Sequence, residues 1–409
     1  MKQLAALVLP KDVFTVKQAI KDAGLYDEIR GTEHTDDFRR AIFLNNTVTN
    51  DSNITGILDR LNLQTCEIEI VALPAKNTSV HSLKHDLQTK IKDFLELHDI
   101  NNDLVIKSVP KRYVIYYPMA LFSEGSWHAL LKALSKEQQT LLYQSVCSSL
   151  RVSHLAFSGL IERGNDMRRP AGLVPLYGDF GPPEVVPNPT QSSIDDAFWV
   201  ENIQNGIKQT WPPRHVMFSR GNFTEKARIL NMPDVKNSIV ADLYAGIGYF
   251  AFSYVKAGAK VVLCWEINPW SVEAISRGAK MNGWTCRVVA HEEDGISAFK
   301  EQIIVFHESN EFAESRLRSV SNIRHINLGL LPTSAPGLSI ASRLHLASPS
   351  VIHMHENVAA NDRFLHGEAI KENLRHNLPN ARININSCTT VKTFAPGILH
   401  CVYDIKLDL

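Results

Sequence analysis

The residues best suited to chemistry gather around one turn. Asp242-Leu243-Tyr244-Ala245-Gly246-Ile247-Gly248-Tyr249-Phe250 joins an acidic side chain to a Gly-x-Gly turn that opens a helix. Glycines let a backbone turn tightly and approach a ligand closely, and the N–H groups at the start of a helix attract a carboxylate. Glu266, within Trp265-Glu266-Ile267-Asn268-Pro269, stands twenty positions after Gly246, a spacing at which a carboxylate can hydrogen-bond both hydroxyls of a ribose. His291-Glu292-Glu293-Asp294-Gly295 offers a third acidic group where an adenine amino group lies in such folds. A nicotinamide enzyme would accept the ribose carboxylate but prefers Gly-x-Gly-x-x-Gly, and Tyr249-Phe250-Ala251 brings no third glycine.

These groups need strand ends to carry them. From about residue 216, strand-like runs over 238–243, 260–265, 286–290, 325–328, 350–355 and 401–407 alternate with helical patterns that include 248–257 and 271–282. That alternation predicts a largely parallel sheet covered on both faces, a Rossmann-like α/β domain over 216–409. Upstream, runs at 5–9, 66–73 and 113–117 read as strands, and 13–23, 83–97 and 127–150 have helical spacing. These make smaller α+β domains over 1–100 and 101–215, with a turn-rich loop from Arg168-Arg169-Pro170 through Asp179-Phe180-Gly181-Pro182 to Pro187-Asn188-Pro189.

Composition sets the outer limits. The chain has 409 residues, 44% apolar and 21% charged, which excludes disorder, collagen and a small disulfide scaffold. No apolar run approaches membrane-spanning length and residues 1–11 lack a cleavable signal pattern, so a soluble, cytoplasmic protein is expected. Six cysteines without a CxxC pair read as reduced thiols. Forty-three basic residues balance forty-three acidic ones, so any nucleic-acid surface must be local. Its candidates are Lys84, His85, Lys90, Lys92, Lys107, Lys111 and Arg112, then Arg163, Arg168, Arg169, Arg214 and Arg220, with plain solvated faces as the alternative. His353 and His355 share one face of a strand without a third ligand at metal spacing, so no metal is expected and core or substrate-lining histidines are.

Two further motifs complete the pattern. Asn327-Leu328-Gly329-Leu330-Leu331-Pro332-Thr333 at the fourth strand gives a rigid polar lip for a planar base, or simply a turn that ends the strand. Ser219-Arg220-Gly221-Asn222-Phe223-Thr224-Glu225-Lys226 packs charge at the entry to the domain, where Thr224 or Asn222 could cap a helix. The glycine turn with its acidic partners resembles the class I S-adenosylmethionine-dependent transferases. Together with these two motifs, His353-Met354-His355-Glu356-Asn357 and the loop from Arg168, it resembles the tRNA wybutosine-synthesising aminocarboxypropyltransferase family over roughly residues 110–409. The sister family is the tRNA guanine-37 N1-methyltransferase.

The resemblance implies a class I methyltransferase-like Rossmann fold, S-adenosylmethionine as co-substrate, and phenylalanine tRNA, at its anticodon loop, as partner. It implies transfer of the 3-amino-3-carboxypropyl group to C7 of 4-demethylwyosine at position 37, releasing 5'-methylthioadenosine; methyl transfer to guanine 37 is the alternative. In family terms Ser219 and Lys226 contact the methionyl end, Glu266 the ribose, and Asp294 with Gly295 the adenine, while Gly246 and Gly248 shape the pocket and Asp242 orients it. Glu225 is the candidate general base by analogy with the sister family, set against a carboxylate at a helix entry. Asn327, Arg220 and Pro332 face the base or its phosphate, and Arg168 and Arg169 face the tRNA. A catalytically idle tRNA-binding protein of the same fold is a third reading, weakened by the presence of both Glu266 and the glycine turn.

Overall fold

The computed structural model describes residues 2–9, 12–27, 32–34, 40–44, 68–74, 80–100, 105, 107, 109–110, 112–158, 160–161, 170–289 and 299–409. The chain divides into two compact units, Met1–Lys111 with Ser126–Arg151, and Arg112–Gly125 with Val152–Leu409.

In the first unit, strands Thr32–His34, Arg40–Phe43, Lys2–Val8 and Ile68–Pro74 form an antiparallel sheet in that order. Helix Val13–Asp22 covers it by burying Val16 and Ile20 against Ala6, Val8 and Ile42. Helix Val80–Leu97 packs on helix Lys136–Leu150. The helical pattern expected across 127–150 is interrupted, because Ser135 starts a new helix. Its hydroxyl accepts from Gln138 N while the Gln138 side chain accepts from Ser135 N, a capping box that separates His128–Lys132 from Lys136–Leu150.

In the second unit, Tyr113–Tyr116, Met119–Ser123, His154–Ser158 and Val174–Tyr177 form a small sheet. A hairpin of Val200–Gln204 and Ile207–Trp211 follows, turned by Asn205 and Gly206, whose φ values of 53° and 66° suit an Asn-Gly turn. The large sheet has eight strands: β1 Ile239–Asp242, β2 Val261–Trp265, β3 Cys286–Val289, β4 Ile303–Phe306, β5 Ile323–Leu328, β6 Leu346–Ala359, β7 Arg382–Ala395 and β8 Ile398–Asp408. Their spatial order is β3-β4-β2-β1-β5-β6-β8-β7, and β3 to β6 run parallel while β8 is antiparallel to β6 and β7. Helices α1 Phe223–Leu230, α2 Ala251–Lys256, α3 Pro269–Met281, α4 Ala335–Ser342 and α5 Arg363–Asn377 accompany it. Leu263, Ile304, Ile326 and Tyr403 belong to one apolar core, and Val240, Val262, Ile275 and Ile303 to a second, so the sheet is buried on both faces as the Rossmann-like pattern requires.

Two strands escape the sequence pattern. Ile303–Phe306 is a four-residue apolar run too short to show a period, and β7 is rich in Asn, Ser and Thr because it lies at the sheet edge. The helix expected over 248–257 starts only at Ala251, since the glycine turn occupies the residues before it.

Candidate active site

The C-terminal ends of β1, β2 and β5 bring three predicted residues together. Asp242 pairs in register with Asn327 and with Cys264, which precedes Glu266 by two residues. Asn327 Nδ2 donates to Asp242 Oδ1 at 3.0 Å, both side chains fully buried. Burial pushes the Asp242 carboxyl up to about 6, against the Asn327 and Tyr244 hydrogen bonds. Asp242 Oδ2 and Asn327 Oδ1 find no partner among the described residues.

The glycine turn is tied to β2 through one carboxylate. Gly246 N donates to Glu266 Oε2 and Asn268 N to Glu266 Oε1, each at 2.8 Å. Gly246 and Gly248 take φ of 56° and 80°, and a Cβ on Gly248 would lie 2.8 Å from the Phe252 ring, so a side chain is excluded there by both backbone and neighbour. The Ile267 N–H also lies beside this carboxylate, and burial pushes the half-buried carboxyl up to about 7 against these backbone hydrogen bonds. A carboxylate that clasps a glycine turn at a strand end is suited to a ribose with its two adjacent hydroxyls.

The strand beside β2 is β4, with Trp265 opposite Phe306 and Glu266 N donating to Phe306 O. The acidic group following this strand is Glu308, held by Arg316 Nε at 2.9 Å and Nη2 at 2.6 Å, and Asn310 Nδ2 donates to Leu243 O at 2.9 Å. Sequence reasoning missed both residues because it missed β4. Asp294 and Gly295 lie outside the described residues, as do Lys111, Arg163, Arg168 and Arg169.

At the entry to the domain, Ser219 N donates to Tyr249 OH at 3.2 Å, which in turn donates to Met217 O. Lys226 is 2% exposed; its Nζ donates to Gln204 and Gln209 Oε1 at 3.0 Å and lies 5.0 and 5.1 Å from the Phe218 and Tyr249 ring centres. Burial pushes this amine down to about 7. Its bonds run to the 200–211 hairpin, so it reaches the turn through Tyr249. Arg220 is exposed, and the Lys392 side chain covers Gly221 so closely that a Cβ there would meet Nζ at 2.6 Å. Lys392 thus adds a cation beside Ser219 to Asn222 that the unread β7 concealed.

Glu225 is 2% exposed and bound edge-on by Arg228, with Nε to Oε2 at 2.8 Å and Nη2 to Oε1 at 2.7 Å. Arg228 also donates to Asp404 from Nη1 at 2.6 Å and Nη2 at 3.0 Å. Asp404 accepts from Ser387 Oγ and bonds His353 Nδ1, both at 2.7 Å, and although burial works against it, His353 and Arg228 hold its carboxyl below the usual range. His353 Nε2 meets His325 Nδ1 at 3.1 Å, while His355 Nδ1 meets His400 Nε2 at 3.0 Å. Burial pushes His355 and His400 each down to about 3, so this second pair is neutral. No group of three or more His, Cys, Asp or Glu among the described residues is arranged to hold a metal.

The lip is knotted to β6. Glu356 Oε1 accepts from Thr333 Oγ1 at 2.9 Å and Ser334 N at 2.7 Å. Ser334 Oγ lies 2.6, 2.7 and 2.9 Å from the carbonyls of Leu328, Leu330 and His355. Pro332 is exposed, and its carbonyl accepts from Asn357 N at 2.8 Å.

Residues 201–320 match the family model described as TRM5/TYW2 methyltransferase domain. The chain is 43% identical over 339 residues to tRNA wybutosine-synthesizing protein 2 of Schizosaccharomyces pombe, covering 80% of each chain. It is 33% identical over 379 residues to the protein of that name from Saccharomyces cerevisiae, covering 77% of this chain and 79% of that one. In fold it is similar to Pyrococcus horikoshii TYW2 in complex with MeSAdo, with a TM-score of 0.55 at 16% identity over 78% of this chain and 99% of that one. Pyrococcus abyssi Trm5b gives a TM-score of 0.52 at 16% identity over the whole of both chains.

Proposed function

The chain belongs to the tRNA wybutosine-synthesizing protein 2 family, and as an S-adenosylmethionine-dependent transferase acting on tRNA we propose that it moves the 3-amino-3-carboxypropyl group to C7 of 4-demethylwyosine at position 37 of phenylalanine tRNA. That kinship carries the reading, and the Glu266 clasp of the glycine turn supports it by supplying the ribose site. The methyl-transferring alternative at guanine 37 is not favoured, because the relatives of high identity carry the wybutosine name.

When bound, S-adenosylmethionine supplies a sulfonium whose methionine γ-carbon is electrophilic. The protein's part is to hold and aim, since a sulfonium offers three carbons and the one in line with the nucleophile reacts. Glu266 would take the ribose hydroxyls, Gly246 and Gly248 would shape the turn beside the ligand, and Asp242 with Asn327 would fix the turn against β5. Ser219, Lys226 and Lys392 would stand near the methionyl carboxylate, with Asp294 and Gly295 toward the adenine. Asn327 and Pro332 would border the base and Arg220 its phosphate. Glu225, whose oxygens each keep a second acceptor direction beyond Arg228, would receive the proton that C7 must lose.

The anticodon loop is the part of the tRNA placed here, with Arg168, Arg169 and residues 1–100 reaching the rest, in a protein located in the cytoplasm. Among the described residues no helix is long and apolar enough to cross a membrane. Incubation with S-adenosylmethionine and phenylalanine tRNA carrying 4-demethylwyosine tests the proposal. It expects nucleoside mass to rise by one aminocarboxypropyl group with release of methylthioadenosine. Methylation of guanosine 37 with release of adenosylhomocysteine would refute it.

A further inference from the structure

Arg228 is shared between two buried carboxylates, and the sharing leaves it little freedom. The Nε and Nη2 edge of the guanidinium holds Glu225, and the Nη1 and Nη2 edge holds Asp404. Four of its five N–H groups are thereby committed, so rotating the plane breaks both pairs together. Glu225 and Arg228 stand one turn apart on α1, whereas Asp404 lies on β8, opposite His353 of β6 and Ser387 of β7. The sheet therefore grips one edge of Arg228 while the helix offers Glu225 to the other.

Counting hydrogens through the histidines behind Asp404 gives a charge. His353 Nδ1 must carry hydrogen to bond the carboxylate at 2.7 Å. His325 Nε2 must carry one to bond the Asp234 carbonyl at 3.2 Å. The contact between His353 Nε2 and His325 Nδ1, at 3.1 Å, needs one more. Three hydrogens on two imidazoles make one imidazolium. The two rings share that one positive charge. Glu225 and Asp404 against Arg228 and the His325–His353 pair then sum to zero, a fitting total for groups this deeply buried.

We infer that Asp404, backed by the His353–His325 pair, is a positioning residue that sets Arg228 and through it aims Glu225 in the transfer reaction. This rests on Glu225 being the proton acceptor proposed above. Asp404 touches neither substrate nor cofactor in this scheme. The groups facing His353 are Asp404 and His325 by hydrogen bond, with Tyr254 packed alongside and His355 within electrostatic reach.

The test is a double-mutant cycle under single-turnover conditions. Asp404→Asn keeps the side-chain shape, and the expected result is a fall in the transfer rate of about ten- to hundredfold, because misaim of a reacting group by an ångström is that costly. Affinity for S-adenosylmethionine and for tRNA should change less than about twofold. In a Glu225→Gln background the same substitution should cost less than about threefold, since there is no longer a base to aim. A full additional loss in that background overturns the inference, as does an unchanged rate in Asp404→Asn. An unchanged rate in Glu225→Gln removes the base assignment and the inference together, whereas the product analysis above tests the overall reaction separately. Nitrogen-15 NMR of the unmutated protein supplies an arm that needs no variant. It should show three ring N–H groups shared between His325 and His353, and two neutral rings would refute the proton count.

Discussion

Substituting Glu266 tests the cofactor site most directly. Its two oxygens accept the Gly246 and Asn268 N–H groups at 2.8 Å, with the Ile267 N–H also beside the carboxylate, and the acceptor capacity left over is what the proposed ribose contact would use. A protonated carboxyl loses one acceptor, so the ligand selects the ionised form. Burial holds the free carboxyl near 7, so S-adenosylmethionine affinity should plateau above about pH 8 and weaken about tenfold per unit below about pH 7. Glu266→Gln keeps the size but replaces one acceptor with a donor and removes the charge. A charge-assisted hydrogen bond is worth about 1.5–3 kcal/mol, so the loss of one weakens binding by about ten- to hundredfold. Calorimetric titration from pH 6 to 8.5 measures both quantities. A flat profile in the unsubstituted protein, or the same slope retained in Glu266→Gln, would refute the assignment of Glu266 to the ribose.

Asp242 carries a second pH signature. Its folded value of about 6 lies above the ordinary 3.8, so the stabilisation is complete below about pH 4 and is lost as pH rises through 6. Asp242 should contribute about 3 kcal/mol to the stability lost in urea unfolding across that window, and Asp242→Asn should remove that share of the slope while leaving the share due to Glu266. Gly248→Ala places a Cβ against Phe252 at a φ of 80°, and should cost about 1–3 kcal/mol of stability together with cofactor affinity; an unaltered unfolding midpoint would contradict the strain argument. Glu356→Ala leaves the buried Ser334 N–H unpaired and releases Thr333, so transfer to tRNA should slow while calorimetric cofactor affinity stays within about twofold.

Much of the site was legible because its signals are local. The glycine turn and Glu266 announce themselves by spacing, and the structure joins them through a single hydrogen bond. Asp242 and Asn327 stand 85 positions apart, yet each ends a readable apolar strand, which is why both could be placed at one sheet edge. The Arg228 network was invisible for a physical reason: the 176 positions between Arg228 and Asp404 are bridged only by tertiary folding. Glu308 and Lys392 were hidden by the two strands that lack periodicity, one too short and one too polar. The destination of Lys226 was equally unreadable, since Gln204 and Gln209 look like ordinary hairpin surface until the helix is laid over them.

The knot at Ser334 has a deficit built into it. A hydroxyl owns one hydrogen, yet three carbonyl oxygens stand within 2.9 Å of this one. At any instant at least two of the three must look elsewhere for a donor or go without. The hydrogen can pass among them by rotation about one bond, at little cost, because each arrangement is as incomplete as the next. Leu328 and Leu330 belong to the strand end and its lip, and His355 to the neighbouring strand, so the rotor decides from moment to moment which of these segments is fastened.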